Sequence, residues 1–78
     1  MTQYGVVLFY TTSAVMRSEK LLVQKGHSVK LIPTPRQFSS DCGIALRFDW
    51  SHLETVRSVL DEAKVEFDAT HFLDTKER

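Results

Sequence analysis

Six short segments with distinct hydrophobic periods follow one another between Tyr4 and Leu73, and their order leaves few folds open. Tyr4-Gly5-Val6-Val7-Leu8-Phe9-Tyr10 is aromatic or β-branched on both alternations, as expected of a strand central in a sheet. Thr11-Thr12-Ser13 offers N-cap hydroxyls. Ala14, Ser18, Leu21, Leu22 and Lys25 then form a narrow helical stripe, and Gly26 is a natural stop. Val29 and Leu31 alternate with Ser28, Lys30 and Ile32 in a second strand. Pro33-Thr34-Pro35 closes it and suits a sheet edge, because proline donates no ladder hydrogen bond. After a loop over 33–43, Ile44, Leu46 and Phe48 lie on one face of a third strand. Ser51 and Glu54 are spaced as a capping box, ahead of a helical stripe at Leu53, Val56, Leu60 and Ala63. Residues 65–73 alternate as a fourth strand.

The order β-α-β-β-α-β within 78 residues predicts one α+β domain over residues 1–78. The expected architecture is a ferredoxin-like sandwich, a four-stranded antiparallel sheet with two helices on one face. Right-handed crossovers predict the strand order 4, 1, 3, 2. Arg47 and Ala45 would then lie on the open face of the sheet, and a homodimer through that face is a possibility. Trp50 is expected to lie, partly buried, over the end of the core.

Hydrophobic residues at 42% suffice for a core, and the ten cations balance the ten carboxylates. No apolar run approaches the length of a membrane span, and no secretory pattern is present, so a cytoplasmic protein without a membrane partner is expected. Charge is uneven along the chain. Residues 1–48 carry six cations and two carboxylates, and residues 49–78 carry four cations and eight carboxylates. Solvated helix faces explain such a split, as does a two-sided surface for a charged partner. Neutral net charge argues against nucleic acid. So does the absence of the basic and aromatic strand pattern of RNA-recognition motifs.

Cys42 is the one cysteine of the chain, which excludes an internal disulfide, a paired redox motif and a multi-cysteine zinc site. The topology brings it to the end of the sheet where the first helix begins, near Thr11, Thr12 and Ser13. A helix N-terminus presents unpaired N–H groups and partial positive charge, and Arg36 belongs to the same loop, so each favours a thiolate. Asp41 opposes it. On the residues alone, Cys42 reads equally as a small buried apolar residue or as a loop thiol. Gly43 beside it allows close backbone approach. His27 and His52 fall at the opposite end, and His71 lies late in the last strand, so a Cys–His pair is not expected. No spacing supports a metal, and no cofactor is implied.

From Leu31 to Phe48 the chain reads Leu-Ile-Pro-Thr-Pro-Arg-Gln-Phe-Ser-Ser-Asp-Cys-Gly-Ile-Ala-Leu-Arg-Phe. With Phe9 to Ser13 and Glu19-Lys20-Leu21-Leu22, this resembles the small bacterial selenium/sulfur carrier protein-like family. The resemblance rests on Pro33, Pro35, Arg36, Ser39, Ser40, Cys42, Gly43, Arg47 and Phe48. It implies a carrier that accepts sulfane sulfur or selenium on Cys42 and passes it between donor and acceptor proteins, without turnover of a small molecule. Arg36, Ser39, Ser40, Gly43, Thr11, Thr12 and Ser13 are the expected binding residues. Where the family often has histidine after the threonine, this chain has Ser13. The alternative is a regulatory module that binds a partner or anion with the same loop and no sulfur chemistry.

Overall fold

The computed structural model describes residues 3–38 and 42–73. The elements are β1 (Tyr4–Leu8), α1 (Thr12–Gln24), β2 (Lys30–Pro33), β3 (Ile44–Asp49), a 3-10 turn (Trp50–His52), α2 (Leu53–Glu62) and β4 (Ala69–Leu73). The strands form one sheet in the order β2-β3-β1-β4, with every neighbouring pair antiparallel. This is the α+β architecture and the strand order expected from the sequence. β1 lies between β3 and β4, which explains why it is apolar on both alternations: Val6, Val7 and Leu8 are all buried.

The main core lies between the helices and one face of the sheet. It joins Val7 and Phe9 with Val15 and Leu22 of α1, Leu46 and Phe48 of β3, and Val56, Val59 and Leu60 of α2. Val15, rather than Lys25, completes the buried stripe of α1; Lys25 forms its exposed C-cap. Ser18, fully buried in that stripe, donates its hydroxyl to the Ala14 carbonyl at 2.7 Å. Arg17 ties α1 to the end of α2, donating to the Ala63 carbonyl at 3.3 Å.

Both helices end in the same reciprocal pattern. Gly26, at φ +88°, donates to Val23, and His27 donates to Leu22. After α2, Lys64 donates to Asp61 and Val65 to Leu60, both at 3.0 Å. Each pair forms a Schellman motif, in which the residue after the C-cap takes the left-handed conformation. Lys64 does so at φ 58° without being glycine. Val65 is therefore part of this cap and of the core rather than of a strand, and β4 starts at Ala69.

The start of α2 also differs from expectation. Asp49, not Ser51, is the acceptor there: its carboxylate accepts from the Ser51 N–H at 3.0 Å and from the Ser51 hydroxyl at 2.8 Å. These bonds cap the 3-10 turn, and α2 has no side-chain cap of its own. Trp50 takes the position expected of it. Its ring packs on Phe48 and edge-on to Phe72, above Gly5, where a Cβ would collide with the indole.

The second face of the sheet is covered over its centre, which corrects the expectation of an open face. Val6, Leu8 and Ala45 are buried on it, with Ile32, Phe38 and Leu73 packed around them. Phe38, from the loop after β2, stacks on His71 of β4 with ring centroids 4.3 Å apart. Arg47 lies over the Tyr4 ring at 4.1 Å rather than standing free. The loop has turned back across the sheet because this buries apolar surface that two helices on the other face cannot reach. That removes the bare apolar surface on which self-association through this face was expected to rest.

Candidate functional site

The site lies where β1 ends, α1 begins and the loop from β2 returns to β3. Thr11, in extended conformation, is the N-cap of α1, and its hydroxyl accepts from the Ala14 N–H at 3.2 Å. The hydroxyl satisfies one of the donors that a helix start leaves unpaired, which holds Thr12 and Ser13 in the first turn. The Thr12 hydroxyl lies 3.8 Å from the Cys42 sulfur, across 30 residues of chain. The proximity expected from the order of elements is therefore present, and Thr12 is the residue of the helix start that makes it.

Cys42 is held from the other side by Thr34. The Thr34 hydroxyl donates to the Cys42 carbonyl at 2.9 Å, and the Thr34 N–H donates to the Gly43 carbonyl at 3.0 Å. The backbone bond continues the β2–β3 pairing one step beyond Pro33 and Ile44, and the hydroxyl bond braces it. They close the base of the loop. Reading the sequence for reactive side chains missed Thr34. A signal was nevertheless present: Pro33 and Pro35 have no N–H, so Thr34 carries the one backbone donor in Pro33-Thr34-Pro35.

The Cys42 side chain is 3% exposed and belongs to the main core. It is the loop end of a continuous apolar layer, roofed by the first turn of α1. Gly43, next to it, is exposed, as are Ser13 and Arg36. Arg36 lies in the turn that ends with the Pro35 carbonyl accepting from the Phe38 N–H at 3.0 Å. Ser39 and Ser40, and Asp41 with them, lie outside the described residues.

The three histidines lie away from the thiol. His27 and His52 meet edge-to-face at 5.4 Å at the other end of the molecule, and His71 lies beneath Phe38 on the second face. Among the described residues no group of three or more His, Cys, Asp or Glu side chains could hold a metal ion. Among them, too, no helix is long and apolar enough to cross a membrane.

A family model described as "Putative Se/S carrier protein-like" matches residues 4–71 of the 78. The chain belongs to this family. The match runs from the first residue of β1 into β4 and spans Thr12, Thr34, Cys42 and Gly43. No curated protein and no solved structure matches the chain. In this member of the selenium/sulfur carrier protein-like family, the single thiol is placed by the start of α1 on one side and by a threonine clasp on the other.

Proposed function

We propose that this protein is a carrier that takes up sulfane sulfur or selenium on Cys42 in the cytoplasm and hands it to an acceptor protein. The observation that carries the reading is the family match over residues 4–71, in a chain whose one cysteine adjoins a helix N-terminus. In the loading step the Cys42 thiolate attacks the outer sulfur of a donor persulfide. A new S–S bond forms, the donor's S–S bond breaks, and the donor leaves as a thiolate. In unloading, an acceptor nucleophile attacks the outer sulfur and Cys42 leaves as thiolate. Neither step changes the overall oxidation level of the exchanging pair. The partial positive charge of the α1 N-terminus and the Thr12 hydroxyl would stabilise Cys42 as attacking and as leaving anion.

Treating the protein with a cysteine-derived persulfide donor and weighing it intact tests this. The expected result is a mass gain of one sulfur atom, reversed by a thiol reductant and absent in Cys42→Ser. No gain, or an equal gain in Cys42→Ser, would overturn it. One observation favours a second reading, in which the loop binds a partner or an anion without sulfur chemistry. Cys42 is almost wholly buried, as a packing residue would be. In that case the mass is unchanged, and Cys42→Ala preserves the protein's binding while lowering its stability.

A further inference from the structure

The chain has three histidines, and the site at Cys42 uses none of them. His71 lies beneath Phe38 on the second face of the sheet. The other two meet at the end of the molecule away from the thiol. Their ring centroids are 5.4 Å apart, and the ring planes cross at 64°. Neither period nor spacing relates residue 27 to residue 52, so only the fold brings the pair together.

Each backbone is fixed for reasons of its own. The His27 N–H donates to the Leu22 carbonyl at 2.9 Å, within the Schellman motif that ends α1. His52 closes the 3-10 turn, and the Trp50 N–H at the start of that turn donates to the Gln3 carbonyl at 2.9 Å. The fold leaves the imidazoles themselves unbonded. His52 stands at the N-cap of α2 yet makes no side-chain cap. Among the described residues neither ring has a hydrogen-bond partner. His52 is exposed and His27 half-buried, so solvent reaches the pair. The Asp49 carboxylate is near enough to His52 for their charges to attract, and a cation held there gains from the same carboxylate. His27 follows the negative end of α1 and His52 precedes the positive end of α2, so the helix dipoles offset each other. Imidazole nitrogen binds zinc at about 2.0–2.1 Å, and two such nitrogens at a tetrahedral angle set their ring centroids about 5 Å apart. The observed separation fits, so sharing an ion requires the rings to turn but not the elements to move.

We propose that His27 and His52 together bind one divalent transition-metal ion of the class imidazole prefers, such as zinc, copper(II) or nickel, with water in the remaining positions. Among the described residues no third His, Cys, Asp or Glu side chain completes the set, so the ion keeps open, exchangeable positions. The bound ion ties the end of α1 to the turn before α2. At the other end of the helix pair, Arg17 already joins α1 to Ala63.

Zinc chloride is titrated into the full chain, and in parallel into Cys42→Ser, while the imidazole C–H signals are followed. The signals of His27 and His52 should move together and saturate at one ion per chain, with His71 unmoved. Equal binding by Cys42→Ser is expected, since the ion lies away from the thiol. Magnesium chloride should move none of the three signals, because imidazole is a poor ligand for so hard a cation. His27→Ala and His52→Ala should each weaken zinc binding by at least about tenfold, and His71→Ala should leave it unchanged. Saturating zinc should raise the melting midpoint of the wild type and not that of either variant of the pair. Should an alanine variant not fold, His27→Gln or His52→Gln keeps a polar side chain without the imidazole and gives the same readout. Three histidines that respond alike, no saturation, binding lost in Cys42→Ser, or undiminished binding by a folded variant of the pair would overturn the proposal and leave His27 and His52 as an aromatic contact only.

Discussion

At the scale of single residues, small groups decide the geometry around Cys42. Thr34→Val keeps the shape of the side chain and removes the hydroxyl that holds the Cys42 carbonyl. Loss of one such bond should cost about 0.5–1.5 kcal/mol in urea unfolding. The same variant should let an alkylating reagent reach the thiol faster, because one of the two Thr34 bonds at the base of the loop is then lost. An unchanged alkylation rate would show that the hydroxyl has no part in sheltering Cys42. The glycines separate in the same measurement. Gly43→Ala should be neutral or stabilise by up to about 1 kcal/mol, since only the unfolded chain loses freedom. Gly26→Ala should destabilise by about 1–2 kcal/mol, because its positive φ penalises a Cβ. The cysteine motif was legible in the residues, being built of unlike neighbours in a fixed order. Thr34 was not, because its role depends on which strand lies beside it.

At the scale of elements, the ends of the helices carry what the apolar stripes did not reveal. Lys64 occupies the left-handed position after α2, and Lys64→Gly should raise the midpoint of denaturation, gaining about 1 kcal/mol. No gain would mean that the flexibility glycine adds to the unfolded chain offsets the relief. The Asp49 cap adds a pH dependence. The hydroxyl and then the N–H of Ser51 bond its carboxylate and hold it below its ordinary value of 3.8, with His52 assisting and slight desolvation opposing. A depressed carboxylate stabilises the fold at pH above its unfolded value, and this contribution is lost as pH falls through the folded one. The stability difference between wild type and Asp49→Asn should therefore be constant near neutrality and shrink below about pH 4. A difference that stays constant into acid would show that the charge contributes nothing. Capping escaped the sequence reading because Ser51 and Glu54 fit the spacing of a box equally well. Only the 3-10 turn, which shifts the first α-helical residue to Leu53, makes Asp49 the acceptor.

At the scale of the whole molecule, one loop serves both faces of the sheet. It delivers Cys42 to the core under the helices and Phe38 to the opposite face. Phe38→Ala should uncover Val6, Leu8 and Ala45 and cost at least the roughly 0.5–1.5 kcal/mol of its ring pair with His71. The variant should also bind an apolar dye that the wild type does not. An unchanged midpoint and no dye binding would show that the face is covered by other means.

The sequence by itself determined the number, type and order of the elements. It also placed β1 at the centre and Cys42 at the end of the sheet where α1 begins. Those follow from periodicity and handedness, which are local or nearly so. The tertiary structure alone decided that Thr12 is the neighbour of the thiol, that Thr34 clasps it, and that Phe38 closes the second face. Each of these joins residues that neither period nor spacing relates: Thr12 to Cys42 across 30 positions, and Phe38 to His71 across the full width of the sheet. Such contacts are chosen by which surfaces remain unburied once the strands have paired, and a one-dimensional pattern carries no record of that remainder.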